Sequence, residues 1–315
     1  MLPLIVAAIV GFSAPCSADT WPSKPIRAII PFSAGSATDI IPRAVFEQLA
    51  VELGQPIIVE NRPGGGGTVG VGSVVRAEPD GYTILANSSA HTIAPWIVPN
   101  IPYDTANDLA AVIPLGKNPN VLVVSPEKGW KSIHDMVAAA KSRPGAFNFG
   151  SAGVGTATHV SAERLRQSAG LRAVHVPYRG GPEAITGVLG GHVDFYYCPI
   201  STAIPLIRDG RLLGLAVSTP ARASALPEIP TSLEAGYANS DSTIWYGVFA
   251  PAKTPREIVD RLHAATAKVL QSPALKQRLA QLAVDPMSMS PAEFDQHVRA
   301  EIAANEAVIR AAVMK

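Results

Sequence analysis

The sequence predicts an α/β protein of two domains, each a mainly parallel sheet flanked by helices, and three observations carry that expectation. Short apolar, β-branched runs alternate along the chain with helical periodicity, the pattern of parallel strands joined by crossover helices. The 315 residues exceed what one compact core usually carries. Proline-rich stretches between Pro95 and Pro102 and between Pro220 and Pro230 interrupt the alternation and are candidate crossings between domains. A chain that leaves one sheet near residue 118 and returns near 240 makes the first domain discontinuous. The expected division is therefore residues 19–118 with 240–315, then 119–239, with a ligand cleft between the two.

The elements justify themselves in order. Residues 1–18 contain an apolar run from Leu2 to Phe12, too short to span a bilayer but suited to a signal-peptide core, with small residues Cys16 and Ala18 before a cut at Asp19. No Lys or Arg follows Met1, so the usual basic start is missing, and a lipid anchor on Cys16 is the alternative. Strands are expected at PIRAIIPF, PIIVEN, YTILANSS, VLVVSP, FNFGSAG, RAVHVPY, VDFYYCP, LGLAVS and WYGVFAPA. Helices are expected over Ala44 to Leu53, closed by Gly54, over Ile133 to Lys141, and over Ala157 to Ala169, ended by Gly170. Three tail helices open on capping signals at Thr254-Pro255-Arg256-Glu257, Ser272-Pro273 and Ser290-Pro291-Ala292-Glu293.

Composition removes several functions. Twenty-six basic residues against twenty-five acidic ones, with only 6% aromatic residues, leave no electrostatic footprint for nucleic acid. After cleavage Cys198 is the remaining cysteine, so no intramolecular disulfide is expected and a buried, inert thiol is the plain reading. The seven histidines show no i, i+4 pair, so neither a metal site nor a cofactor is expected. Gly65, Gly67 and Gly70 satisfy the dinucleotide spacing, but Asn61-Arg62-Pro63 separates them from their strand, so Gly64 to Gly67 reads as a flexible turn.

The chemistry concentrates in two strand–loop–helix junctions of very small residues. One runs from Pro31 to Asp39 and offers Ser33, Ala34, Gly35, Ser36 and Thr38; the other runs from Gly150 to His159 and offers Ser151, Gly153, Gly155, Thr156 and His159. Small side chains expose backbone N–H groups at the positive end of a helix, which suits an anion without any formal positive charge. Asn87 and Ser88 end a third strand at the edge where open α/β sheets place ligands, and Tyr178 with Arg179 ends a fourth. Asp194, near the end or bend of a strand, is a further candidate, and Phe32, Phe195 and Trp245 are candidate side walls.

Many short motifs, in one order, resemble the substrate-binding proteins of tripartite tricarboxylate transporters, the Bug family. They include Trp21-Pro22-Ser23-Lys24-Pro25-Ile26-Arg27, Val59-Glu60-Asn61-Arg62-Pro63-Gly64, Pro79-Asp80-Gly81-Tyr82-Thr83, Gly153-Val154-Gly155-Thr156 with His159, His175-Val176-Pro177-Tyr178, Gly190-Gly191-His192-Val193-Asp194 and Leu226-Pro227-Glu228-Ile229-Pro230-Thr231. The resemblance implies a two-domain type II periplasmic-binding-protein fold that closes on a carboxylate through the two small-residue loops. It also implies a periplasmic location and membrane transport subunits as partners.

The departures are local. The first loop has Ser33, Ala34, Ser36 and Ala37 where the family is richer in Pro and Gly, and Ala94-Pro95 replaces a frequent Asn-Pro. Pro42 is expected within a first helical turn opened near Asp39, or at a kink. The functional expectation is a monomeric periplasmic solute-binding protein that captures a small carboxylate and is not an enzyme. A ligand-sensing adaptor for a receptor is the rival, and an enzyme using His159 or Asp194 as base is a third reading with no nucleophile or metal beside either residue.

Overall fold

The computed structural model describes residues 21–313, so the expected signal segment lies outside the described residues. The chain begins β1 (Ile26–Ile30), α1 (Ala37–Leu53), β2 (Ile57–Asn61), α2 (Thr68–Val75), β3 (Thr83–Ser88), α3 (Ala90–Ile97) and β4 (Leu109–Asn118). It continues with β5 (Asn120–Val124), α4 (Ile133–Ser142), β6 (Phe147–Ser151), α5 (Ala157–Ala169), β7 (Ala173–Pro177), α6 (Gly181–Leu189), β8 (Phe195–Pro199), α7 (Ile200–Arg208) and β9 (Leu213–Val217). It closes with β10 (Ile244–Pro251), α8 (Arg256–Leu270), α9 (Pro273–Gln281) and α10 (Pro291–Val313).

Two five-stranded sheets result, ordered β2-β1-β3-β10-β4 and β7-β6-β8-β5-β9. Both are mixed, with four of the five strands pointing one way. β5 and β10, each the first strand after the chain changes sheet, run antiparallel to both neighbours, whereas the other strands of each sheet point one way. The two sheets therefore share one topology, in which β1 matches β6 and β3 matches β8, although the sequence shows no repeat.

Crossings occur at Pro119 and through residues 218–243, and they are tied together. Ser218 N donates to Asn120 O at 2.8 Å, Asn120 N donates to Ser218 Oγ at 3.0 Å, and Ser242 N donates to Ser218 O at 2.7 Å. Each sheet buries apolar faces on both sides: Ile26, Ala28, Ile30, Tyr246 and Val248 pack against α1 and α8, while Ile29, Leu85, Trp245 and Phe249 meet Phe294 and Val298 of α10. In the second sheet Phe149, Phe195 and Tyr197 line one face and Val121, Val123, Tyr196 and Cys198 the other. This is the alternation of a strand buried on both sides.

Several elements differ from the sequence expectation for physical reasons. β4 was not among the expected strands because it carries Pro114 and Gly116. The proline is tolerated because β4 is an edge strand and its register slips against β10 between Tyr246 and Gly247 and between Val248 and Phe249. α1 opens on Ser36, not near Asp39, which puts Pro42 beyond the first turn of a continuous helix. Lacking an N–H, Pro42 leaves the Thr38 carbonyl without its usual i+4 donor. Ser272 and Ser290 cap their helices as expected, but α8 opens on Pro255, and the Thr254 hydroxyl is buried without a partner. The glycines Gly65–Gly67 form a 3₁₀ turn, with Gly64 before it, leading into α2.

Candidate functional site

The equivalent strands β1 and β6 release the two small-residue loops, and both loops turn into a helix at the same small cavity. Its volume is about 30 Å³, and it is lined from the first sheet's side by Phe32, Ser36, Ala37, Thr38, Ser88, Ile244 and Tyr246. From the other side come Ala152, Thr156, Ala157, Thr158, Gly181, Tyr196, Pro199 and Thr202. Among the described residues no Lys or Arg side chain lines it. The first two residues of α1, Ala37 and Thr38, and the first two of α5, Ala157 and Thr158, all face the cavity. Amides at those positions have no acceptor within their own helices. Two positive helix ends thus converge on one small space whose walls are apolar groups and hydroxyls.

Two buried hydroxyls lining the cavity add donors. Ser36 Oγ opens α1 without capping it and has no partner, and the fully buried Tyr196 hydroxyl has Thr158 beside it but no hydrogen bond of good geometry. Burial pushes the phenol of Tyr196 well above its ordinary range, so it keeps its proton and stays a donor. Tyr246 is held the same way, and its hydroxyl donates to Asn118 Oδ1 at 2.9 Å.

The two sides touch around the cavity. Ser33 Oγ donates to Glu183 Oε1 at 2.9 Å and lies 3.4 Å from the Arg179 carbonyl. On the other flank the glycine turn reaches the second loop: Gly66 has φ +66°, and a Cβ there would drive into the Val154 carbonyl oxygen. Beside that contact lies a larger opening of about 340 Å³, bordered by Gly64 to Gly67, Val98, Gly153, Tyr178 and Arg179.

The expected site residues separate into three groups. Ser36, Thr38, Ser88 and Thr156 line the cavity; Gly153 and Tyr178 border the neighbouring opening; Ser33 bridges the two sides. A second group holds the loops from behind. Thr156 Oγ1 donates to Gly153 O at 2.7 Å, Thr158 Oγ1 accepts from Ala152 N at 3.0 Å, and Ser151 Oγ meets His175 Nε2 at 2.6 Å. Gly155, at φ +77°, packs on Ala94 and Ile97, and its N–H points at His159 Nδ1 at 3.4 Å. His159 stacks on His175 with ring centroids 3.9 Å apart, under the loop and away from the cavity. Burial, then the neighbouring charges of His175 and Arg166, lower His159 to about 3, and burial lowers His175 to about 4.

The third group is not brought to the cavity. Ala34 and Gly35 are exposed, with Gly35 N donating to Asp39 Oδ2 at 2.9 Å. Asn87 is buried in β3 and folds its Oδ1 onto Ser88 N. Asp194 is a correction: it precedes β8, at the strand's other end, where Lys128 Nζ at 2.7 Å and Asn148 N at 2.8 Å occupy its carboxylate. Phe195 and Trp245 point into cores, and their neighbours Tyr196, Ile244 and Tyr246 supply the walls instead. Cys198 is buried beside Thr202 and its thiol is pushed up to about 12, which leaves it inert.

The family model described as the tripartite tricarboxylate transporter family receptor matches residues 41–314. The chain belongs to this family. Its fold is also that of solved members. Periplasmic binding protein BugD is 28% identical, with a TM-score of 0.89 over 93% of this chain and 98% of that one. A Rhodopseudomonas palustris protein, Rpa4515, solved with adipate, is 30% identical, with a TM-score of 0.90 over 93% and 98% of the two chains. MatC from the same organism, with bound malate, is 29% identical, with a TM-score of 0.87 over 92% and 100%. This family receptor is accordingly a periplasmic solute-binding protein with the two-domain fold, and its family and structural neighbours are solute-binding proteins, not enzymes.

Proposed function

We propose that this receptor captures a small organic carboxylate between its two halves, residues 19–118 with 240–315 and residues 119–239, and delivers it to the membrane subunits of a tripartite tricarboxylate-type transporter. The observation that carries the reading is the convergence of the α1 and α5 first turns on one cavity free of basic side chains. Main-chain amides, Ser36 Oγ and the Tyr196 hydroxyl would hold the carboxylate. Charge-assisted hydrogen bonds contribute about 1.5–3 kcal/mol each, and a helix terminus adds up to about 2 kcal/mol when partly buried. Four or five such contacts, less the ordering cost, reach the roughly 8 kcal/mol of a micromolar complex. The adipate and malate held by its relatives are ligands of this chemical class.

Closure supplies the coupling. A ligand that touches both loops binds the shut form better than the open one, and that difference in affinity is what drives the change. Thermal unfolding across mono-, di- and tricarboxylates, amino acids, aromatic acids and nicotinate tests the proposal. A matching acid raises the melting temperature in proportion to its occupancy, and a flat response to every acid would sink it.

A further inference from the structure

One acidic side chain beside the cavity keeps an oxygen without a hydrogen-bond partner among the described residues. Glu183, in the first turn of α6, accepts the Ser33 hydroxyl on Oε1, while its Oε2 is buried and has no hydrogen-bond partner. It acts electrostatically on the Tyr196 phenol, whose hydroxyl lies where a side chain on Gly181 would begin, 3.4 Å away. A Cβ on Gly180 would lie 2.7 Å from Ser33 Oγ and 3.1 Å from Glu183 Oε2. The glycine pair keeps this corner open between the carboxylate and the cavity.

Two unsatisfied buried hydroxyls, Ser36 Oγ and Tyr196 Oη, line the cavity, and a third unsatisfied atom, Glu183 Oε2, lies beside it behind Gly180. The two hydroxyls can donate to a ligand's carboxylate. Glu183, when ionised, can only accept. A simple dicarboxylate brings acceptors alone and a like charge, leaving Oε2 unpaired in a place from which water is largely excluded. An ammonium group brings donors and the opposite charge, and its hydrogen bond to a carboxylate is of the strong, charge-assisted kind. The residues that line the cavity are all neutral, so the carboxylate of Glu183, behind Gly181 and Tyr196, sets the sign of the charge beside it.

We propose that Glu183 is a specificity-determining residue that selects carboxylates bearing an ammonium group, zwitterionic amino acids, over donor-free dicarboxylates of the same length. The inference rests on the carboxylate-capture reading and refines it. Ser33 then has two tasks, joining the halves and orienting Oε1 so that Oε2 faces the ligand.

Calorimetric titration of the mature chain with matched probes tests it: L-glutamate against glutarate, and L-aspartate against succinate. The wild-type protein should bind at least one amino acid about tenfold or more tightly than its matched diacid. Glu183→Gln keeps the side chain's size and can still accept from Ser33, and it should abolish or reverse that preference. Ser33→Ala retains the carboxylate but frees Oε1, and should weaken binding of both members of a pair and reduce their ratio without reversing it. Diacids bound as tightly as amino acids by the wild type, or a preference that survives in Glu183→Gln, overturns the proposal while the carboxylate reading stands. Should Glu183→Gln fail to fold, the wild-type ratio still decides. Failure of every acid, including mono- and tricarboxylates, to bind overturns both.

Discussion

The loops after β1 and β6 hold equivalent places in two sheets of the same order, yet they spend their polar groups differently. The second loop is satisfied from within: Thr156 and Thr158 bond to its own main chain, Ser151 bonds to His175, and the His159–His175 stack supports it from below. The first loop keeps its cap residue free, since Ser36 Oγ bonds to nothing, and Asp39 braces it from outside through Gly35 N, Arg43 and Asn61. One loop is a rigid frame that presents main-chain amides; the other carries a side chain still available to a ligand. Preorganisation on one side lowers the ordering cost of binding, while the uncommitted hydroxyl on the other leaves room for a distinct ligand contact.

Acid should break this comparison most strongly. The folded-state values of His159 and His175 lie near 3 and 4, below the ordinary 6.5, so both rings are neutral in folded and unfolded chains above about pH 6.5 and stability is then full. As pH falls from 6.5 toward 4 the unfolded chain takes up protons that the folded one refuses, and stability falls. His91, buried in α3 and also lowered to about 4, adds the same trend in the first half. Hydrogen exchange at pH 7 and pH 4.5 should show amides of residues 151–159 losing protection before those of residues 33–39. Equal loss in both loops would refute a histidine-supported frame.

Closure is the next most sensitive point. Gly66→Ala places a methyl against the Val154 carbonyl and strains a left-handed backbone. We expect ligand affinity to fall by about 100-fold and ligand-induced compaction in small-angle scattering to disappear. Unchanged affinity would mean that the glycine turn does not belong to the shut form.

Ser36→Ala separates the two loops more gently. It should weaken ligand binding by about 10-fold, one charge-assisted bond, with the ligand-free melting point unchanged or slightly raised because a buried unpaired hydroxyl is removed. The matching change Thr156→Ala removes the cap of α5 and should cost about 1 kcal/mol of ligand-free stability, read by urea unfolding. If the two variants exchange behaviour, the assignment of frame and contact is reversed.

Much of this was legible from small residues and periodicity. Both loops, nine of the strands and the α5 boundaries follow from local pattern, because glycine, capping and β-branched signals act over a few residues. What escaped depends on partners far along the chain. β4 hides behind Pro114 until β10 makes it an edge strand. Phe195 and Trp245 differ from the true walls, Tyr196 with Ile244 and Tyr246, by one residue, because a strand buried on both faces does not reveal which parity meets the cleft. His159 follows the glycine loop closely enough to invite a ligand role, and only the His175 ring stacked on it shows otherwise. Asp194 looked catalytic or binding by type, but the end of the strand on which it sits is a tertiary fact.

The crossing strands also set an order of assembly. The sheet of β5 to β9 draws all its strands from one uninterrupted stretch, so it can pair completely as soon as residue 217 is available. The sheet of β1 to β4 cannot, because β10 lies between β3 and β4 and is made only after that entire stretch. During synthesis or refolding, β3 and β4 wait with open edges, the exposure that invites mispairing. The half that folds from contiguous sequence is thus the early one, and the half that needs β10 is completed last.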